Sequence, residues 1–223
     1  MSAVTEIASL HLKAGVDPDV AAKKVSSVVL EQPGSLCVRH STRHENSEYI
    51  ALFIDWEALS AHEKFMQTPA YGPFNEDIGG VIQGVPSIYH VPFVPFPPTV
   101  LSNDGGRGKT AVAEVIHAYF PADLDLEQQQ EVLAQAQEFL DESKKINPKG
   151  FSGEVAHGFA LEDIEFDGAK SRVLVLVLGW DSVDAHLAYR ETDDFARTIP
   201  LLRTLPRRKG IEVWHVANKV ATK

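Results

Sequence analysis

The stretch YIALFIDWEALSAHEKF, residues 49–65, is spelled again in outline as VLVLVLGWDSVDAHLAY at residues 173–189. Each copy is an apolar run, a tryptophan, a short acidic opening and an Ala-His pair. Trp56 precedes Trp180, His62 precedes His186 and Phe65 precedes Tyr189 by the same 124 residues. The segments on either side keep the same order. EIASLHL opens the first half and EVIHAYF the second. CVRH (37–40) faces EVAH (154–157), setting His40 opposite His157, and IYHV (88–91) faces VWHV (213–216), setting His90 opposite His215. Both halves read strand, helix, strand, strand, one or two helices, strand, which makes the chain a tandem duplication.

The echoed strands predict how the halves meet. An antiparallel sheet with one wet face alternates apolar and polar residues, whereas YIALFI and VLVLVL are apolar at successive positions and need cover on both faces. Each half's own helices can cover one face; the other requires a second sheet. The expected fold class is therefore α+β: two ferredoxin-like repeats whose antiparallel sheets pack into one intrachain barrel with helices outside. Two independent domains would leave apolar faces bare unless copies of the chain paired. Asp17 with Pro18 predicts one helix start. Asp125 predicts another, ahead of LEQQQEVLAQAQEFL, where Leu126, Leu133, Ala136 and Leu140 form the apolar stripe.

Residues 92–110, PFVPFPPTVLSNDGGRGKT, divide a first repeat at 1–91 from a second at 111–223. Pro92, Pro95, Pro97 and Pro98 deny donors to a sheet, and Asn103 to Gly106 carry turn chemistry. Gly108, Lys109 and Thr110 match the end of a phosphate-binding loop, but Asn103 stands where its first glycine belongs, and a proline run rather than a strand precedes it. Nucleotide binding is not expected.

The chain has 223 residues, is 44% hydrophobic and carries a formal charge of −10. Both halves are acidic, which argues against nucleic-acid or anionic-membrane partners. The basic run Arg203, Arg207, Arg208, Lys209 reads as a solvated turn. One cysteine, Cys37, excludes an internal disulfide and a thiolate cluster. No signal peptide or bilayer-length apolar run is present, so a cytoplasmic protein is expected.

A strand ending in tryptophan, W-x5-H on the next helix (Trp56 to His62, Trp180 to His186) and a later aromatic (Tyr71, Phe195) resemble the antibiotic biosynthesis monooxygenase domain of the dimeric α+β barrel superfamily. The resemblance covers both halves apart from the linker. It implies a fused pair, a pseudo-dimer within one chain, since such domains usually meet as homodimers. It also implies a function among cofactor-independent oxygenases of anthrones and hydroquinones, haem-degrading enzymes, polyketide cyclases and stress-responsive barrels. Haem degraders carry an iron-binding histidine late in the helical region after the tryptophan. TPAYGPFNEDI and TDDFARTIPLL contain none, so haem degradation is disfavoured. The first-strand asparagine of those members and of some oxygenases is also missing; Ser9, His11 and His117 occupy that strand instead.

The expected partner is a small hydrophobic or aromatic molecule, with no cofactor and no metal, because no H-x-x-x-H, H-x-H or carboxylate facial set lies on one element. An oxygenase without flavin or metal needs a base near neutrality and a dry aromatic pocket. Histidine suits the first need and tryptophan the second. The candidate catalytic residues are His186, His215, His157 and Trp180. Candidate substrate-binding residues are His117, Tyr189, Trp56, His62, His90 and Tyr71. Each has a plainer reading: His62 could bond a carbonyl from a helical stripe, and the tryptophans share strand parity with Ile50, Leu52 and Ile54 or Leu174, Leu176 and Leu178 as core plugs. Three functions follow: a cofactor-independent monooxygenase of an aromatic or polyketide-derived molecule, an acid–base cyclase or isomerase, and a non-catalytic ligand-binding or stress-responsive barrel. The second repeat, with His117, His157, His186 and His215, is the expected seat of the better pocket.

Overall fold

The computed structural model describes residues 2–103 and 109–223. Gly105, Gly106 and Gly108 of the linker, and with them part of the phosphate-loop pattern, lie outside the described residues. In the first repeat β1 (Val4–His11), α1 (Pro18–Val29), β2 (Ser35–Thr42), β3 (Tyr49–Trp56), α2 (Leu59–Met66), α3 (Tyr71–Gly79) and β4 (Ser87–Val91) follow one another. After a 3-10 turn at Thr99–Leu101, the second repeat gives β5 (Val112–Pro121), α4 (Leu126–Ile146), β6 (Phe151–Phe159), β7 (Ile164–Phe166), β8 (Ala169–Trp180), α5 (Val183–Arg190), α6 (Asp193–Arg203), β9 (Gly210–Val216) and β10 (Lys219–Thr222).

Two antiparallel sheets result, with strand orders β10-β2-β3-β1-β4 and β6-β8-β5-β9, and β7 pairs with β8. The repeats match in register: Val4 faces Trp56 as Val112 faces Trp180, and Glu6 faces His90 as Glu114 faces His215. Strand parity then sorts the side chains. Ile7, Phe53, Tyr89 and Val91 meet Val115, Val173, Val175, Val177 and Trp214 in one core between the sheets. The opposite faces, Ile50, Leu52, Ile54 and Trp56 or Leu174, Leu176, Leu178 and Trp180, form separate cores with the helices. Each buried Val or Leu side chain contributes about 1.5–3 kcal/mol. The expected double burial is thus real, and the barrel closes within one chain.

The repeats also exchange their trailing segments. Strand β10 adds to the edge of the first sheet, setting Lys219 beside His40. Val94 does the reverse, with two backbone hydrogen bonds to His157 on the edge of the second sheet. Pro95, Pro97 and Pro98 lack backbone donors, which limits that second exchange to a single bridge.

Asp17 caps α1 by accepting from the Asp19 N–H, and Asp125 with Gln128 forms a capping box on α4. The buried face of α4 is Val132, Ala136, Phe139, Leu140 and Ser143; Leu126, expected on the stripe, projects into solvent at the first turn. No described helix is long and apolar enough to cross a membrane.

Candidate functional site

The Ala-His pairs mark where α5 and α2 close onto the sheets. Gly150 has φ +83°, and a Cβ there would lie 2.6 Å from the Ala185 Cβ; Gly34 has φ +81° and the same 2.6 Å relation to Ala61. Glycine in the left-handed region opposite alanine is what allows this approach. The next residue on each helix is the histidine, laid against the tryptophan: Trp180 and His186 stack at 5.0 Å and Trp56 and His62 at 5.1 Å between ring centroids.

Behind each histidine, hydrogen bonds run through a second histidine to a carboxylate of the other repeat. In the second, Trp180 Nε1 donates to Glu114 Oε2 at 2.9 Å, and Glu114 Oε1 lies 3.4 Å from His186 Nε2. His186 Nδ1 is 2.8 Å from His215 Nε2, and His215 Nδ1 donates to Glu45 Oε1 of the first repeat at 2.5 Å. In the first repeat, Trp56 Nε1 donates to Glu6 Oε2 at 2.9 Å, and His62 Nδ1 is 2.8 Å from His90 Nε2. His90 Nδ1 donates to Glu162 Oε1 of the second repeat at 2.7 Å. The backbone N–H groups of His215 and His90 bond the same glutamates.

Burial dictates the protonation pattern. Desolvation pushes the Glu114 carboxyl up to about 7, against the Trp180 hydrogen bond and the Arg190 charge, which pull it down. It also holds His186 down to about 3, with the charges of His215 and Arg190 acting in the same direction, so this imidazole is neutral at physiological pH. For Glu45 burial pulls upward, but hydrogen bonds from the His215 side chain and backbone outweigh it and keep the carboxylate ionised. Below about pH 7, where Glu114 is protonated, its carboxyl faces His186 Nε2 across 3.4 Å, while His186 Nδ1–H donates to His215 Nε2 and His215 Nδ1–H donates to Glu45.

This end of the chain opens into a cavity of about 400 Å³ between the second sheet and α4, α5 and α6. Phe139, Phe151, Leu178, Phe195, Ile199 and Leu202 supply apolar walls, and Glu114, Trp180, His186 and Tyr189 line it as well. Arg190, Arg203 and Arg208 add positive charge to the lining. The basic run is thus not merely a solvated turn: Arg208 also ties back to the Arg203 carbonyl, and Arg207 pairs with Asp123. The matching cavity in the first repeat, lined by Glu6, Trp56, His62 and Tyr71, is only about 60 Å³.

The structure gathers Trp180, His186 and Tyr189 at the large cavity with His215 directly behind, and Trp56, His62 and Tyr71 at the small one with His90 behind. Two candidates stand elsewhere. His157 lies on edge strand β6, is not among the cavity-lining residues and feels the charges of Lys144 and Asp141 on α4, so it does not join the constellation. His117 faces the barrel interior because it shares the parity of Val115 and Tyr119; its Nε2 is 2.8 Å from the Tyr89 hydroxyl and the Trp214 ring is edge-on to it. Ser9 and His11 share that inward parity: Ser9 accepts from Arg43, and His11 stacks on Tyr49. Sequence reasoning passed over Glu6, Glu114, Glu45 and Glu162. The signal was present: Glu6 and Glu114 are the first letters of the two aligned strands, and Glu45 and Glu162 each lie five residues after His40 and His157.

No sequence-family profile matches the chain, and no curated protein does. Solved structures do. An anthrone oxidase-like protein superposes on 100% of this chain and 94% of its own, with a TM-score of 0.62 and 16% identity. The shared feature is the fold, two α+β repeats whose antiparallel sheets face each other with helices outside. A candidate monooxygenase from Fusobacterium nucleatum gives a TM-score of 0.60 at 12% identity over 100% of this chain and 95% of its own. One from Lactobacillus acidophilus gives 0.59 at 9% identity over 100% and 97%. At these identities the likeness is one of fold.

Proposed function

We propose that the protein is a monooxygenase of an aromatic, polyketide-type small molecule, acting in the cavity of the second repeat. The observation that carries this reading is a carboxyl group held near neutrality, Glu114, at an aromatic-walled cavity and wired by two histidines to an ionised carboxylate on the other repeat. A general base works best when its pKa lies near the working pH. Glu114 meets that condition, whereas burial makes His186 too weak a base and suits it to passing protons on.

Ionised Glu114 takes a proton from the activated C–H or O–H of the substrate, and the electron pair stays on the ring system as an enolate or phenolate. The Arg190 guanidinium, whose charge acts on both Glu114 and His186, stabilises that anion. Trp180 holds the carboxyl by its N–H. The proton moves from Glu114 to His186 Nε2 while His186 passes its Nδ1 proton to His215 and His215 passes its own to Glu45, whose side chain is 42% exposed. The electron-rich anion then reduces dioxygen. At a methylene carbon the two hydrogens leave as water with one oxygen atom, and the other oxygen atom becomes the new carbonyl, so one dioxygen is consumed per ketone formed. Such a reaction makes the substrate the reductant.

The test is dioxygen consumption with an anthrone as probe. The expected result is one dioxygen per quinone formed, with the rate at least about 100-fold lower in Glu114→Gln. Turnover that continues without oxygen would instead assign acid–base cyclisation or isomerisation to the same relay. Binding without turnover in either condition would leave a ligand-binding barrel.

A further inference from the structure

The first repeat keeps the whole constellation although its cavity, about 60 Å³, is too small for an aromatic substrate. Its ligand-capable atoms converge. One atom each from Glu6, His62 and His90 all lie within 4.8 Å of one another, and the three residues are only 5–6% exposed. His62 Nδ1 is 3.4 Å from Glu6 Oε2 and 2.8 Å from His90 Nε2. We propose that Glu6, His62 and His90 form a binding site for one divalent transition-metal cation of the zinc type, independent of the chemistry in the second repeat.

Three features support this assignment. The donors are two imidazoles and one carboxylate, a set that suits zinc with a fourth position left for water. Metal–ligand bonds of about 2.1 Å put the donors of a tetrahedron about 3.4 Å apart, which is the Glu6–His62 separation already present. The 2.8 Å contact between the imidazoles holds one proton between them. A cation would take the place of that proton, which a neutral His62 can carry on Nε2 instead.

The donors are also held in place. Glu162 takes the Nδ1–H of His90 at 2.7 Å and its backbone N–H at 2.8 Å, which fixes the ring so that Nε2 presents its lone pair to the site. Trp56 fixes Glu6 from the other side. A bound cation would hold Glu6 ionised, and Glu6 with Glu162 would then balance its double positive charge.

The second repeat supplies the contrast. His186 turns Nε2 to Glu114 but Nδ1 to His215, two different ring nitrogens, whereas His62 meets both partners with Nδ1 alone, so the same residue types do not converge on one donor atom there. Among the described residues Glu6, His62 and His90 are the one such group. A cation there would tie the repeats together, because Glu162 comes from the second and the three donors from the first.

The experiment is zinc titration of the intact chain after chelator treatment, read by calorimetry and by elemental analysis of the dialysed protein, with Co(II) absorption as the signature of nitrogen and oxygen coordination. The expected result is one zinc ion per chain and a raised Tm. Stoichiometry should fall to zero in His62→Ala/His90→Ala and stay at one in His186→Ala. Glu162→Gln, which leaves the donors intact, should weaken affinity about 10–100-fold. If the double alanine variant fails to fold, Glu6→Gln carries the same expectation of lost binding in a chain of unchanged shape. Zinc affinity weaker than about 100 μM, or a stoichiometry of one retained in the donor variants, overturns the site.

Discussion

Glu45 of the first repeat accepts a 2.5 Å hydrogen bond from His215 of the second, 170 residues away in the chain. Glu162 returns the same bond to His90 across the pseudo-dimer. Each repeat therefore lends a carboxylate to the other's histidine pair, and neither constellation is complete within its own repeat. Glu45→Ala should destabilise the chain by about 1–2 kcal/mol in urea, a range set by a charge-assisted bond with a partly exposed acceptor. Glu48→Ala, three residues on and with its side chain 71% exposed, should stay within about 0.5 kcal/mol. Equal effects at the two sites would mean that the bond between repeats contributes nothing to stability.

The two buried groups of the relay should give opposite pH dependences of stability. Glu114 has its folded pKa raised to about 7 from 4.5, so between those values the native state binds more protons than the unfolded one, and its contribution falls as pH rises. His186 is lowered to about 3 from 6.5, so below 6.5 the unfolded state binds more protons and stability falls as pH drops. Glu114→Gln should therefore gain stability relative to the parent from pH 5 to pH 8. His186→Gln should gain relative to the parent from pH 7 to pH 5. Each swing is of order a few kcal/mol. Parallel curves for the parent and both variants would mean that neither group is desolvated as the structure has it.

Arg190 gives a prediction with a definite sign. Its charge lowers the pKa of Glu114 and of His186. Arg190→Gln should move the limb of the turnover profile that reports Glu114 ionisation to higher pH by about half a unit to one unit, while lowering affinity for an anionic probe. A shift to lower pH would place the working base elsewhere.

The fold was largely legible in the sequence because it rests on repetition and apolar continuity, both of which are one-dimensional. The runs YIALFI and VLVLVL require two covered faces, and the shared 124-residue spacing requires two matching halves. The site was legible only where it coincided with the echo, at Trp56, Trp180, His62, His186, His90 and His215. Glu45 and Glu162 reach across from the opposite repeat, a relation that no spacing within one repeat encodes. Glu6 and Glu114 stood at the head of aligned strands, but an acidic residue on a strand ordinarily reads as solvent-facing; parity with Ile116 and Leu178 turns Glu114 toward the buried face beneath the helices. His157 followed the echo of position but is held on an edge strand, and His117, aligned with Ser9, turns into the barrel.

The glycine that admits α5 offers the sharpest structural test. Gly150→Ala meets two penalties at once, a left-handed φ of +83° and a Cβ 2.6 Å from Ala185. Gly153→Ala meets only the first, since φ is +79° and nothing lies within 4 Å of its added carbon. The strain alone costs of order 1 kcal/mol. Gly153→Ala should show that loss with turnover intact, whereas Gly150→Ala should lose about 2–3 kcal/mol and push α5 outward, parting His186 from Trp180 and from Glu114. Urea denaturation reads the first quantity. Tryptophan emission reads the second, since the Trp180 ring loses its stacked imidazole and gains water. Equal losses in the two variants, with unchanged emission, would show that the close approach of Gly150 and Ala185 does not set the position of the histidine.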